Sequence, residues 1–246
     1  MRYLVISDIH ANHVALEAVL EDAESLYDEV WCLGDLIGYG PQPNECVETI
    51  RDLGGLAIAG NHDWAVLGKL DIDHFNRDAR HALLWTRSVL TADNQDYLDR
   101  LEVSLVEEEV FTLVHGSPRY PVWEYILYPE VAQVNFAHFA TPYCLVGHTH
   151  SPMVFLETRG DPKRYYVEVP MFNNGPQSLP SVRMILNPGS VGQPRDGDAR
   201  SAYGILDTET ATFDFRRVPY DVEKTQQQMI HLEFAPRLVG RLGLGH

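Results

Sequence analysis

The sequence predicts an α/β fold that contains two β-sheets. In the first half, short apolar segments that end in glycine or a polar residue alternate with amphipathic helical segments, which is typical of parallel β-α-β units. Over roughly the last hundred residues, the pattern changes to short alternating segments separated by Gly, Pro and Asn, as in antiparallel hairpins. We therefore expect parallel strands in the first half and a mostly antiparallel second sheet after them.

The elements of the first half follow from apolar runs and from helical spacing. The first strand is predicted at residues 2–7, where the run Tyr3-Leu4-Val5-Ile6 indicates burial on both faces. Similar runs, each closed by glycine or a polar residue, predict strands at residues 29–33, 56–59, 110–114 and 143–146. Apolar positions at helical spacing predict helices at residues 12–23, 44–53 and 130–140, and a helical insertion at about residues 64–100.

The second half contains shorter segments. Alternating polar and apolar residues predict strands at residues 153–157, 164–168, 183–187, 202–207 and 212–217. A polar amphipathic helix is predicted at residues 221–232, and the tail at residues 240–246 is expected to fray. No linker-like stretch divides the chain, so we expect a single domain over residues 1–246.

The composition excludes several classes of function. The formal net charge of −16 argues against binding long nucleic acid or an anionic membrane surface, because both need a basic face. Three widely spaced cysteines do not form a disulfide framework or a cysteine-rich zinc site. The chain does not start like a signal peptide, and no apolar run approaches the roughly 18 residues of a membrane span. We expect a cytoplasmic protein, and nothing in the sequence indicates its oligomeric state.

Polar side chains with metal-binding chemistry stand at the predicted ends of the first-half strands. They are Asp8, His10, Asp35, Asn61, His62, His115, His148 and His150. Carboxylate and amide oxygens with imidazole nitrogens suit divalent Mn, Fe, Co, Ni or Zn. Eight candidates are too many for one ion and suit two ions that share a carboxylate. Strand ends of one sheet meet at one edge, so we expect a two-metal site there, which is the usual arrangement for in-line attack at phosphorus.

These residues form a motif series that resembles the calcineurin-like metallophosphoesterases. The matching motifs, in chain order, are Asp8-Ile9-His10, Gly34-Asp35, Gly60-Asn61-His62-Asp63, His115 and Gly147-His148-Thr149-His150. The resemblance continues through residues 187–198, a segment similar to one in the prokaryotic branch of small phosphodiesterases. It implies a four-layer α/β/β/α sandwich with two mixed β-sheets.

The resemblance also implies a division of roles among the site residues. Manganese is the first candidate for the two divalent ions, and a hydroxide between them is the expected nucleophile. His62 is expected to contact the phosphate, and a role as the acid that protonates the leaving oxygen is favoured over phosphate contact alone. Asp63 is expected to orient the His62 imidazole. The implied metal ligands are Asp8, His10 and His150 for the first ion, Asn61, His115 and His148 for the second, and Asp35 as the bridge between them.

The loop after Asp35 indicates the type of ester. In protein Ser/Thr phosphatases and symmetrical dinucleoside tetraphosphatases, an arginine follows the Gly-Asp pair by a few residues and binds a terminal phosphate. Tyr39 stands in that neighbourhood here. A monoester carries nearly two negative charges and gains more from such an arginine than a diester does. The sequence therefore favours a phosphodiesterase that acts on a small nucleotide-like or lipid-derived diester over a phosphomonoesterase or a protein phosphatase.

Three further residues are candidate substrate contacts. Arg195 stands in a Gly/Pro-rich loop that could approach the phosphate, and the alternative is a solvated arginine paired with Asp196 or Asp198. Asn12 and His13 directly follow His10 and are expected at the mouth of the site. For His13 the alternative is a surface position at the start of a helix.

Three aromatic residues could contact the substrate or serve only in packing. Tyr39, Trp123 and Tyr125 could stack on a nucleoside or pack long loops, and packing is favoured for Trp123.

A metal-binding scaffold subunit with little activity would be expected to have lost metal ligands. Here every ligand position of the motif series is filled, which favours an enzyme.

Overall fold

A computed structural model describes residues 1–157, 166–168 and 172–246, and these residues contain two six-stranded sheets. The strands are β1 (Arg2–Ile6), β2 (Glu29–Cys32), β3 (Leu56–Ala57), β4 (Ser104–Glu107), β5 (Phe111–Val114), β6 (Tyr143–Leu145), β7 (Met153–Leu156), β8 (Tyr166–Glu168), β9 (Gln177–Ser178), β10 (Met184–Asn187), β11 (Ser201–Asp207) and β12 (Thr212–Val218). The helices are α1 (His13–Asp22), α2 (Pro43–Leu53), α3 (Asn61–Val66), α4 (Arg77–Val89), α5 (Ala92–Asp99), α6 (Pro129–Asn135), α7 (Val222–His231) and α8 (Pro236–Leu242), with a 3₁₀ turn at Ile72–His74.

Both sheets are mixed. The first has the order β3-β2-β1-β11-β12-β9, in which β1, β2 and β3 are parallel and the later strands are antiparallel. The second has the order β4-β5-β6-β10-β7-β8, in which β5, β6 and β10 are parallel. Two mixed sheets confirm the predicted fold class.

The predicted division of the strands between the sheets is wrong. The later strands are mostly antiparallel, but they join both sheets: β11 pairs with β1, and β10 pairs with β6. Likewise, β5 and β6 from the first half build the second sheet rather than extending the first. The alternation of residues predicts that a segment is a strand, whereas its pairing partner depends on contacts far along the chain.

The alternation within β1 explains the layers. Tyr3 and Val5 point into an apolar core that contains residues of both sheets, whereas Leu4 and Ile6 point into a second core shared with α1 and α2. A third core lies under α6, where Phe136 packs against strands of the second sheet. Burial of a single large apolar side chain contributes about 1.5–3 kcal/mol. Helices therefore cover the outer faces of two sheets that pack against each other, as the four-layer prediction requires.

The C-terminal tail is not frayed as predicted. Residues 236–242 form α8, and both Leu238 and Leu242 are buried in a cluster that includes Tyr39. The strands β4 and β9 were not predicted, and the predicted segment 164–168 lies within the described residues only over Tyr166–Glu168. In the described part of the chain, no helix is both long and apolar enough to cross a lipid bilayer.

Candidate metal centre

The predicted ligands meet at the junction of the two sheets rather than at the edge of one. Asp8, Asp35 and Asn61 follow β1, β2 and β3 of the first sheet. His115 and His148 follow β5 and β6 of the second sheet. The single-sheet expectation is therefore corrected, and the two-layer packing of the sheets is what brings the ligands together.

Two ligand groups lie on either side of Asp35. Asp8, His10 and His150 form one group, and Asp35, His115 and His148 form the other, with the donor atoms of each within 4.8 Å of one another; donor atoms of His10, Asp35 and His62 also lie this close together. Asp35 Oδ2 lies 3.5 Å from His10 Nε2 and 3.3 Å from His115 Nε2. This buried oxygen has no hydrogen-bond partner among the described residues. Asp35 therefore stands where a shared ligand is needed.

Asn61 completes the second group. Its Oδ1 lies 3.3 Å from His115 Nε2, and its side chain is buried. In the first group, His150 Nε2 lies 3.3 Å from Asp8 Oδ1. The structure thus brings together all seven side chains that the resemblance assigns to metal.

Backbone carbonyls fix the tautomers of three of the histidines. A carbonyl oxygen only accepts, so each Nδ1 carries a proton, and in the neutral form of each ring Nε2 presents a lone pair to the cluster. The accepting carbonyls are Ile37 for His10 at 3.2 Å, Leu33 for His115 at 2.7 Å and Gln193 for His150 at 2.6 Å. His10 Nε2 and His150 Nε2 are only 3.1 Å apart. Two lone pairs at that distance repel unless a cation or a proton lies between them, so the donor set fits a metal ion.

His148 presents the other ring nitrogen to the cluster. Its Nε2 lies 3.2 Å from the Trp123 carbonyl, which leaves Nδ1 as the nitrogen that can coordinate. The ring of Tyr125 stacks on the His148 imidazole, with 3.7 Å between the ring centroids. The carbonyl of Trp123 was not predicted as part of the site, because backbone groups leave no mark in a sequence.

Five metal-ligand candidates have left-handed backbone conformations. Their φ angles are +53° for Asp8, +50° for His10, +53° for Asp35, +65° for His148 and +57° for His150. Each such residue costs on the order of 1–3 kcal/mol unless its surroundings hold it in place. Strain of this kind concentrates at functional sites, and here it lets the ligand loops turn sharply enough for their side chains to converge.

The loop after β10 holds the ligand loops in position. The Asn187 side-chain amide donates to the Gly147 carbonyl at 2.6 Å and to Thr149 Oγ1 at 2.9 Å. Ser190 Oγ donates to the Asp8 carbonyl at 2.8 Å. These bonds explain why the resemblance extends beyond the ligands into this segment, since it supports both ends of the first ligand group.

Burial and mutual charge set the protonation of the cluster. Burial lowers the pKa of His10 and His150 well below the usual value and that of His148 to about 3, so these imidazoles are neutral. Burial also raises the pKa of Asp8 to about 6. Burial alone would lower the pKa of His115, but the neighbouring Asp35 carboxylate outweighs burial and raises this pKa to about 9. A proton on His115 thus neutralises Asp35 in the metal-free site, and a cation would take its place.

The His62 ring lies beside the candidate ligands and packs against other rings. Its ring lies 4.8 Å from that of His10, 4.3 Å from that of Tyr39 and 5.1 Å from that of Phe75, measured between centroids. Burial lowers the pKa of His62 to about 4. Its buried Nδ1 has no hydrogen-bond partner among the described residues, and the ring is held only by aromatic packing.

Asp63 does not orient the His62 imidazole, contrary to the prediction. Its carboxylate accepts the backbone N–H groups of Asp35 at 2.9 Å, Ile37 at 3.2 Å and Gly60 at 2.8 Å. It therefore fixes the loop that carries Asp35. Burial, and then the charge of Asp35, raises the pKa of Asp63 to about 7.

Arg195 reaches the site instead of pairing with the acids of its own loop. Its guanidinium carbon lies 5.7 Å from the centre of the Tyr39 ring, and its buried Nε has no hydrogen-bond partner among the described residues. The neighbouring acids have other partners, which are Arg217 for Asp196 and Arg200 for Asp198. An arginine therefore does occupy the Tyr39 neighbourhood, but it comes from a distant segment.

Asn12 and His13 have partners within the fold. Asn12 caps α1, donates to the Gly192 carbonyl at 2.9 Å and accepts from Thr225 Oγ1 at 3.0 Å. His13 Nε2 lies 2.9 Å from Thr49 Oγ1 on α2. These contacts give both residues structural roles, and neither contacts the ligand groups through its side-chain hydrogen bonds.

Comparisons with known proteins agree with this geometry. The calcineurin-like phosphoesterase superfamily domain matches residues 1–211. The crystal structure of a metallophosphoesterase from Sphaerobacter thermophilus superposes with a TM-score of 0.91, at 45% identity over 100% of this chain and 99% of that one. An uncharacterized protein of Methanocaldococcus jannaschii is 38% identical over 98% of this chain and 97% of its own length. A symmetrical bis(5′-nucleosyl)-tetraphosphatase of Vibrio cholerae is 31% identical over 54% of this chain, which spans half the length of that enzyme.

Proposed function

The chain belongs to the calcineurin-like phosphoesterase superfamily, and we propose that it is a dinuclear metal-dependent phosphodiesterase for small nucleotide-like substrates. Its membership of the superfamily makes it a phosphoric ester hydrolase. The observation that carries the dinuclear assignment is the position of Asp35, whose buried Oδ2 lies 3.5 Å from His10 Nε2 and 3.3 Å from His115 Nε2.

The proposed ligand sets use every side chain of the cluster except His62. One ion would be held by Asp8, His10 and His150, the other by Asn61, His115 and His148, with Asp35 shared. Two divalent cations would stabilise the charge that develops on a phosphoryl group and lower the pKa of water towards neutrality. Manganese is the proposed metal, with iron, nickel, cobalt and zinc as alternatives, because mixed oxygen and imidazole donors suit all of them.

The chain supplies two groups for the phosphate itself. Burial keeps His62 neutral at pH 7, and in this form its ring N–H can donate to a phosphate oxygen. To protonate the leaving oxygen, the ring must first take up a proton, which the negative charge of a bound phosphate would favour. Arg195 carries a guanidinium beside Tyr39 and can form charge-assisted hydrogen bonds to a phosphate. His62 packs against His10, and Arg195 lies over Tyr39, which also packs against His10, so we expect both to reach a phosphate bound beside His10.

A small diester is the proposed substrate. The net charge of −16 disfavours long nucleic acids, and the related tetraphosphatases are named for small dinucleotides. The exposed ring of Tyr125 offers a stacking surface next to His148. A phosphomonoesterase is the second candidate, favoured by one observation: Arg195 stands over Tyr39, where it could bind a terminal phosphate.

The test compares esters with the same leaving group on protein of known metal content. Metal-loaded protein is assayed with 4-nitrophenyl phosphate as the monoester and thymidine 5′-(4-nitrophenyl phosphate) as the diester, while its metal is quantified by mass spectrometry. Two metal ions per chain and a higher kcat/KM for the diester are expected. A stoichiometry of one would contradict the dinuclear assignment, and a clear preference for the monoester would support the second candidate.

A further inference from the structure

A cationic cavity lies between the start of α4 and the helix α8. Its volume is about 410 Å³, and it is lined by Asn76, Arg77, Asp78, Arg237, Leu238 and Arg241. Three arginines and one aspartate thus line the cavity, in a protein whose formal net charge is −16. A local excess of positive charge against so acidic a background indicates a binding site for an anion.

Residues in or next to the wall of the cavity also pack against residues of the candidate metal centre. Phe75, which precedes the lining residues of α4, packs edge-on against the His62 ring at 5.1 Å. On the other side, Leu238 of the cavity wall belongs to the same apolar cluster as Tyr39. Tyr39 in turn contacts both His10 and His62. The cavity therefore flanks the side of the centre where His62 would contact the phosphate.

Two of the three arginines of the cavity form no ion pair. In the described ranges, neither Arg77 nor Arg237 forms a salt bridge, whereas Arg241 donates to the main-chain oxygen of His246. By contrast, Arg80 on the same helix as Arg77 pairs with Asp73 at 2.6 Å. Burial and the charge of nearby Arg195 lower the pKa of Arg241 only to about 10, so it remains protonated at neutral pH.

We propose that this cavity binds a second phosphate group of the substrate, beyond the one that is hydrolysed. Guanidinium groups match the geometry of phosphate oxygens and form two charge-assisted hydrogen bonds at once. Since a water molecule occupies about 30 Å³, the cavity has the volume of roughly a dozen waters, which is ample for a phosphate and part of a sugar. The inference rests on the proposed function and narrows its substrate to phosphate esters with at least one further phosphate.

The second phosphate can be attached to the sugar or belong to a polyphosphate chain. Two substrates, each with one of these arrangements, distinguish the two possibilities. Thymidine 5′-(4-nitrophenyl phosphate) is compared with the same ester bearing a 3′-phosphate, and both with diadenosine tetraphosphate. The wild type is expected to show at least about a tenfold higher kcat/KM for one of the two further-phosphorylated substrates, mainly through a lower KM. The substrate that benefits identifies the source.

The Arg77→Gln/Arg237→Gln double variant tests the residues. We expect the ratio of kcat/KM between the preferred substrate and the plain ester to fall towards one, whereas Arg80→Gln, an exposed arginine of α4 outside the cavity, leaves this ratio unchanged. Calorimetric binding of thymidine 3′,5′-bisphosphate and thymidine 5′-phosphate to metal-loaded protein gives a second readout. There the double variant should lose the tighter binding of the bisphosphate.

The outcomes separate the two proposals. If the plain ester is hydrolysed but further phosphates bring no advantage, or if the double variant keeps the wild-type ratio, the second-phosphate site is wrong and the proposed function stands. If metal-loaded protein hydrolyses neither monoester nor diester, the proposed function is wrong, and the inference that rests on it falls too.

Discussion

Gly60→Ala is expected to dismantle the metal centre without removing any ligand. Gly60 has φ −98° and ψ −179°, an extended conformation that alanine adopts freely, so the effect of the substitution is purely steric. A Cβ atom at this position would lie 2.0 Å from Asp35 Oδ1 and 2.5 Å from the Asp35 backbone nitrogen. Both atoms belong to the residue that stands between the two ligand groups.

The size of the effect follows from the displacement. Ordinary contact begins at 3.4 Å, so the Asp35 carboxylate must retreat by about 1.4 Å from its present 2.0 Å. A misplacement of about 1 Å at a reacting centre costs on the order of 100-fold in rate, and overpacking costs about 1–3 kcal/mol in stability. For a chain of this length, 1 kcal/mol corresponds to about 2–4 °C in Tm. We expect less bound metal and at least about 100-fold lower kcat/KM.

Gly54→Ala is the matched control for loss of stability. Gly54 ends α2 with φ +71°, so alanine is strained there by about 1 kcal/mol, yet no atom lies within 4 Å of the added methyl group. Both variants are compared with the wild type by thermal unfolding, metal stoichiometry and kcat/KM for a 4-nitrophenyl diester. The control should lose stability and keep metal and activity. If Gly60→Ala also keeps both, the close approach of Gly60 to Asp35 does not matter for the site.

Three further predictions follow from single side chains. Asp35→Asn should lose both metal and turnover, because one carboxylate serves both ligand groups; a variant with full metal content measured by mass spectrometry would contradict a shared ligand. His62→Ala should keep its metal and lose about 10²–10⁴-fold in kcat, with the larger loss for poor leaving groups, and an equal loss across a series of substituted phenyl esters would exclude general-acid catalysis. The hydrogen bond from Arg200 lowers the pKa of Asp198 from 3.8 to about 2, so its stabilising contribution is present above about pH 4 and is lost as the pH falls towards 2. Asp198→Asn should remove that contribution, seen as a urea midpoint that differs from the wild type at pH 5 but not at pH 2.

The cluster of candidate metal ligands could be predicted because its signal is local. Each candidate stands at or shortly after the end of an apolar run, four of them adjoin a glycine, and the carboxyl ends of parallel strands are where ligands collect. The structure brings all of them together, including Asn61 and His115, which lie far apart in the sequence from their partners. The two-sheet fold could also be predicted from the periodicity of the segments.

The strand pairing, the role of Asp63 and the helix α8 could not be predicted, because they depend on contacts that the periodicity of the sequence does not encode. The pairing of β11 with β1 links residues about 200 positions apart, so the local pattern did not distinguish between the two sheets. The role of Asp63 was misjudged because its partners are backbone N–H groups rather than the neighbouring imidazole. Residues 240–246 were predicted as a frayed tail, although residues 240–242 belong to α8, whose leucines lie in the same apolar cluster as Tyr39 and whose two arginines line the cationic cavity.

The left-handed ligands explain why the centre needs both sheets. Strained backbone persists only where neighbouring groups hold it, and here the holding bonds cross between ligand loops. His10 N–H donates to the Asp35 carbonyl at 2.9 Å, and His148 N–H donates to the Asp8 carboxylate at 3.0 Å. The second bond joins a loop of one sheet to a ligand of the other. These bonds hold one ligand loop against another, so we expect a change in one ligand group to disturb the geometry of the other.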